Sequence, residues 1–310
     1  VTSEVWTDVG SQISGITTFP FARVPGTSLQ HGCAAPYSVA RFSEMFMFVS
    51  KDTRGQAIIG AIQGYQFIRL STHAVEQTLM NQYVADAVAY TYQLEGHEMY
   101  VVSFPTIDIT WVYDLTTKMW HKWLYTNASS RFERHRGNCC ALFQGKVLVG
   151  DHSNGKIYEL DRQTYTDDGQ MIRRIRRAPH LTTDLQRQFF DELQIQFQPG
   201  VGLNGIASLP NTGAIAGVAI AGNAVAGGSY TAPIGVNPQA MLRWSNDGGS
   251  TWSNEHWVKM GKIGAYGYRA IWRRLGMTLK LRDRVYEVSG TDPVKIAIMG
   301  AELIVDGTNA

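Results

Sequence analysis

The runs MFMFVS from Met45, MYVVSF from Met99 and KVLVGD from Lys146 decide how this chain is read. They begin 54 and then 47 residues apart, a weak internal repeat. Each follows another strand-like run and a short polar turn: SVARF before Ser43-Glu44, VAYTYQL before residues 95–98, and NCCALF before Gln144-Gly145. Each is followed by a third run, AIIGAI from Ala57, WVYD from Trp111 and IYELD from Ile157, at offsets of 12, 12 and 11 residues. A fourth run follows twice, QFIRL at 66–70 and MWHKW at 119–123. Several runs are apolar on both faces, as expected of sheets stacked between neighbours. Short strands joined by polar turns, such as 51–55 and Ser153-Asn154-Gly155, describe propeller blades. The rival description is a plain antiparallel meander with coincidental spacing. Three blades cannot close a ring, since propellers use about four to eight. Closing residues are therefore expected before Val1 or in the second half. The expected fold class is all-β, with propeller-like blades over 1–172 and further antiparallel β-sheet carrying an Asp-box hairpin over 173–310.

Composition agrees with that class. Of 310 residues, 17% are charged and 11% aromatic, and 31 are Gly, a mix suited to strands with many tight turns. Net charge is +2, which argues against a polybasic nucleic-acid binder. Cys33, Cys139 and Cys140 lack CxxC spacing, so neither a disulfide framework, a zinc site nor a thioredoxin-like motif is written here. Cys139 and Cys140, being adjacent, are expected on opposite faces of a strand, and synthesis in a reducing cytoplasm is the simpler reading. No signal peptide is read at the start, and no apolar run reaches the roughly 18 residues of a membrane span. The start at Val1 suits a processed product or part of a longer protein.

From about Arg173 the composition shifts. RRIRR at 173–177 reads as contact with DNA phosphates or an acidic partner, or as a solvated connector or intersubunit salt-bridge partner, and the second is the expectation. The same holds for Arg131, Arg134 and Arg136, and for Arg269, Arg273 and Arg274. LQIQF at 193–197 has strict period 2. Between Glu192 and Arg243 there is then no Asp, Glu, Lys or Arg, and GAIAGVAIAGNAVAGG at 213–228 holds only small residues and scattered aliphatics. Such a segment lacks the bulk to build a core and is entropically costly to order. It reads as a loop inserted at about 199–238 into a hairpin between LQIQF and MLRW at 241–244. Gly213, Ile215, Val218, Ile220 and Val225 mark it as a lumen or plug loop, a membrane-contact tip, or a loop with no specific role.

SNDGGSTW at 245–252 matches the Asp-box pattern at Ser245, Asp247, Gly249, Thr251 and Trp252. Asp247 can accept hydrogen bonds from turn amides, Gly248 and Gly249 permit positive φ, and Trp252 folds back over the turn. The pattern specifies a hairpin, not catalysis. HWVKM, RAIWRRLG, RVYEVSG and DPVKIAIMGAELIVDG read as further strands, with Pro293 starting one. The run 294–305 reads as a closing hairpin around Gly300, and MTLKL at 277–281 as a small local insertion.

The string LRWSNDGGSTWSNEHWVKMGKIGAYGYRAIWRRLG, followed by RDRVYEVSGTDPVKIAIMGAEL, resembles the C-terminal region of the packaged-DNA stabilisation or tail nozzle (hub) proteins of short-tailed phages, the podoviruses. The shared features are Asp247-Gly248-Gly249 with Thr251-Trp252, Gly261 and Gly264, and Arg269 with Trp272, Arg273 and Leu275-Gly276. Arg282 to Val285 and Asp292 to Val294 complete them. The resemblance covers about 193–303 apart from the insertion, which departs from the family pattern, and is looser over the first half. It implies a virion protein assembled in the host cytoplasm as a hexameric ring. The implied partners are copies of itself, the adaptor at the head-to-tail connector, a tail plug or fibre protein, and double-stranded DNA in passage. It implies no catalytic residue, cofactor or metal.

A sialidase-like glycan-hydrolysing or glycan-binding propeller is the alternative, drawn from the Asp box and the blades. It would need an arginine triad, a Tyr/Glu pair and a general acid, and no spacing around Glu192 nominates them. A kelch-like interaction propeller lacks its double-glycine signature. GxSxG, GxxxxGK[ST] and HExxH are missing, and His97, His121, His135, His152 and His180 are expected at surfaces or turns.

Overall fold

The computed structural model describes residues 2–8, 10, 20–182, 186–203, 234–278 and 281–307. The chain divides into two compact units, 1–161 and 162–310. In the first unit, β1 (Trp6–Asp8) and β2 (Phe21–Arg23) form a two-stranded hairpin, and the rest is a succession of antiparallel meanders. The first comprises β3 (Ala40–Phe42), β4 (Met45–Lys51), β5 (Ala57–Gln63) and β6 (Gln66–Arg69). The second comprises β7 (Val88–Leu94), β8 (His97–Phe104), β9 (Ile109–Asp114), β10 (Met119–Thr126) and β11 (Phe132–Arg134), and the third β12 (Gly137–Phe143), β13 (Lys146–Asp151) and β14 (Ile157–Glu159). The repeated runs are thus the successive strands of each sheet, MFMFVS, MYVVSF and KVLVGD being the second in each.

Period-2 alternation stacks these sheets. On β8, Tyr100, Val102 and Phe104 face one core with Phe42, Met47, Val49 and Ile59 from the preceding sheet. The intervening Val101, with Val112 and Tyr90, faces a second core with Val147 and Val149 from the following sheet. A strand apolar on both faces is what a blade between two blades requires. The turns are written locally: the two-residue loops Glu95-Gly96 and Gln144-Gly145 carry φ of 47° and 81°, and of 49° and 77°. Positive φ at both central residues is the type I′ hairpin, whose twist matches that of its strands.

The sequence reading passed over a helix. Between the first two sheets α1 (His73–Leu79) buries Val75 and Leu79, one turn apart, against the first core. Its Glu76 pairs with Arg69 and accepts from Ser71 Oγ at 2.5 Å. The i, i+4 pair after Ser71-Thr72 was the available signal.

The second unit opens with the hairpin β15 (Thr166–Asp167) and β16 (Gln170–Met171), and continues as two sheets. One has the order β17 (Arg174–Arg177), β22 (Val285–Gly290), β19 (Gln239–Ser245), β20 (His256–Lys259). The other has β21 (Ala270–Met277), β18 (Gln188–Phe197), β23 (Ile298–Gly307). Leu193, Ile195 and Phe197 of β18 meet Ala240 and Leu242 of β19 and Tyr286 of β22 in one core, which makes a sandwich.

Four expectations are corrected here. LQIQF and MLRW do not form an interrupted hairpin: both edges of β18 are taken by β21 and β23, and β19 lies in the other sheet between β20 and β22. The run 294–305 is not a hairpin around Gly300. Gly300 sits inside β23, opposite Gln196, and the strand continues to Gly307 because its whole length has β18 to pair with. Pro293 lies in a bend, five residues before β23 begins. RRIRR is not a connector, since four of its five residues are β17, laddered to β22. The candidate loop residues Gly213, Ile215, Val218, Ile220 and Val225 lie outside the described residues, as do two residues of MTLKL. The base of the insertion is described: Leu203 N–H donates to Gly235 O at 2.7 Å.

Candidate functional site: the Asp-box turn and the clamp beside it

β19 ends at Ser245, and the next residues close on themselves. Ser245 Oγ donates to Asp247 Oδ1 at 2.6 Å and accepts from Gly249 N–H at 2.8 Å. The Asp247 carboxylate also accepts from Thr251 N–H at 2.8 Å and Thr251 Oγ1 at 2.7 Å. The Ser245 hydroxyl, then the Thr251 amide and hydroxyl, hold the Asp247 carboxyl down at about 2, because hydrogen bonds to the charged form favour it. Gly248 and Gly249 have φ of 68° and 102°, and a Cβ on Gly248 would lie 2.7 Å from Asp283 Oδ2. Here glycine is needed both for conformation and for close approach. The Asp283 carboxylate in turn faces His180 Nδ1 at 2.8 Å.

Trp252 folds back, placing its ring 3.7 Å from where a Gly249 Cβ would stand. The same ring lies under two guanidinium groups, Arg177 at 5.2 Å and Arg243 at 4.8 Å from its centroid. Both arginines grip one carboxylate: Arg177 Nε donates to Glu287 Oε2 and Arg243 Nε to Glu287 Oε1, each at 2.6 Å. Glu287 is 0% exposed. A buried carboxylate is tolerated when each oxygen has a charged donor, and the Trp face adds cation–π attraction. The box therefore roofs a clamp joining β17, β19 and β22. Ser245, Asp247, Gly249 and Thr251 come together in the turn, and Trp252 serves the clamp.

Other groups that drew attention in the sequence are also engaged. Arg173 pairs with Glu255 at 3.1 Å, and Arg174 donates to Asp292 O at 3.1 Å. Arg273 pairs with Glu192 at 2.8 Å, and Arg136 with Asp151 at 2.6 Å. Asp151 sits far below the carboxylate range; burial works against its charge, but Arg136, Ser153 and Tyr158 outweigh it. His135 lies half-buried in the short connection between β11 and β12; burial pushes it down to about 4, and it accepts from Gly137 N–H at 3.1 Å. One feature gave no sequence signal: the Glu287 clamp, whose members are far apart in the chain. Arg284, which lies in the shared stretch Arg282 to Val285, is buried among Phe190, Trp244 and Tyr286 and donates to Leu275 O and Met277 O at 3.0 and 2.8 Å.

These contacts hold strands and turns together. The Asp247 and Glu287 carboxylates are saturated by their own neighbours. Comparison with known proteins agrees: residues 1–165 match the family model described as bacteriophage P22 Gp10, beta-propeller, and residues 219–306 the one described as bacteriophage P22 Gp10, beta-sandwich. The chain belongs to the bacteriophage P22 Gp10 family. The Gp10 family comprises packaged-DNA stabilisation or tail nozzle proteins of podoviruses, so the chain is a phage structural protein of the virion that stabilises packaged DNA. No curated protein matches it. The two descriptions, propeller and then sandwich, correspond to the stacked meanders and the two-sheet unit seen here. Nothing in the Gp10 match speaks for glycan hydrolysis.

Proposed function

We propose that the chain is a nonenzymatic nozzle or hub subunit of a short-tailed phage tail. It assembles with copies of itself, as a hexameric ring on the adaptor, into a distal tube that retains packaged DNA and conducts it during ejection. A plug or fibre protein closes that tube until the host is engaged, and assembly takes place in the host cytoplasm. The observation that carries this reading is the state of the arginines. In RRIRR, Arg173, Arg174 and Arg177 are spent on Glu255, the Asp292 carbonyl and Glu287. A duct must let a duplex slide, and phosphate clamps would hold it. Internal engagement of three of the four arginines in that run, with a net charge of +2, favours a wall of low affinity.

The reading is tested in two steps. Particles assembled without the chain are expected to package DNA and then lose it, and supplying the chain should restore retention. Titration of the purified chain with duplex DNA at physiological salt should show no tight binding. Stable filling of particles that lack the chain, or submicromolar duplex binding with a steep salt dependence, would overturn it.

A further inference from the structure

Among the described residues the sheet β21-β18-β23 has no strand partner at either end, and the two ends differ in charge and finish. β23 is ten residues long, pairs with β18 along its length, and among the described residues has no ladder partner on its other side. It contains no Lys, Arg or Pro and no residue of positive φ, and it exposes Met299 (65%) and Ile304 (54%) beside Glu302 and Asp306. Proteins normally blunt such an edge with bulges, prolines or lysines. β18 shifts register with both neighbours between Phe190 and Glu192, and a second shift leaves Met299 of β23 out of register. β21 differs in that Arg274 and Gly276 have φ of 59° and 74° and Arg284 takes the carbonyls of Leu275 and Met277. It also carries cations, Arg273 and Arg274, with Arg269 just before it, all exposed.

Register places Arg273 and Glu302 on a common face, and Arg269 and Arg274 are exposed beside it. Arg273, Glu192 and Ile304 lie in one cross-strand row, and Ile271, Gln194 and Glu302 in another. The row between them, Trp272, Leu193 and Leu303, faces the core. The outer face thus runs from cationic at β21 to acidic at β23. A patch that complements a different patch on the same molecule makes a head-to-tail contact, and repetition of that contact builds a ring when the rotation between copies closes.

We infer that β23 of one copy docks along the β21 edge of the next, with Glu302 and Asp306 against Arg269 and Arg274. This rests on the self-assembly reading above and names its contact. β23 supplies the acidic Glu302 and Asp306 and the exposed apolar Met299 and Ile304. The cationic edge of the next copy selects the acidic strand and rejects another cationic one.

Charge reversal with mixing tests this. Mass photometry is run on wild type, on E302R/D306R and on R269E/R274E, alone or on the adaptor if wild type assembles only there. Melting curves establish that each variant is folded. Each variant alone is expected to self-associate at least about tenfold more weakly than wild type. An equimolar mixture should regain the wild-type assembly, because each acidic edge then meets a cationic one. Wild-type assembly by both variants alone, or no recovery on mixing, overturns the contact and leaves the self-assembly reading standing. Wild type that stays monomeric under both conditions overturns both.

Discussion

Asp247 shows how much a single side chain does when its turn is written around it. Its carboxyl sits at about 2 in the fold against an ordinary 3.8. A depressed folded value gives stability that is fully present above about pH 4 and is lost as pH falls towards 2. Asp247→Asn is expected to lower the melting temperature of the second unit at pH 7 and to flatten its dependence on pH between 5 and 2. Melting curves at several pH values check this, and an unchanged slope would mean that the turn does not use the charge. The same device recurs in plainer form. Asp52 accepts from Arg54 N–H and Gln56 N–H, Asn127 from Ser129 N–H and Arg131 N–H, and Asp151 from Ser153 N–H. These Asx turns are local, so the sequence shows them. The SNDGGSTW spacing was legible for that reason, whereas the Glu287 clamp was not: Arg177 and Glu287 are 110 residues apart, and nothing local links them.

Among the elements, β5 illustrates packing between strands. Gly60 has no room for a side chain, since a Cβ there would stand 2.3 Å from Phe67 Cζ and 2.6 Å from the Ile68 carbonyl. The ring can swing away but the backbone cannot, so Gly60→Ala should destabilise the first unit by about 1–3 kcal/mol, measured by urea denaturation. The strands of the first unit were readable because each hairpin closes within a few residues and alternation decides both faces. Elements whose partners are distant were misread. Gly300 looked like a turn because glycine breaks strands in isolation, but β18 pairs with β23 along its full length. MLRW looked like the partner of LQIQF because both alternate, and alternation cannot say which edge a strand will find. α1 escaped notice because a seven-residue helix is carried by Val75 and Leu79 meeting a core that lies elsewhere in the sequence.

For the whole molecule, two units with separate cores predict separable responses. Glu287→Ala strips the common partner from Arg177 and Arg243. It should destabilise the sandwich by about 3 kcal/mol, the low end for a broken buried pair, because both guanidinium groups reach solvent. Gly60→Ala should move only the transition of the first unit, and Glu287→Ala only that of the second, in calorimetry of the full chain. A common shift would show the two to be one cooperative system. What the sequence alone determined was the all-β class, the blade repeat, the hairpin turns and the Asp box, all products of short-range alternation and turn chemistry. Only the tertiary structure decided that β18 lies between β21 and β23, that the cationic run is a laddered strand, and that Trp252 roofs a buried glutamate held by two arginines. Those depend on which apolar faces and charged groups meet after the chain has crossed between sheets, and no window of sequence contains both partners.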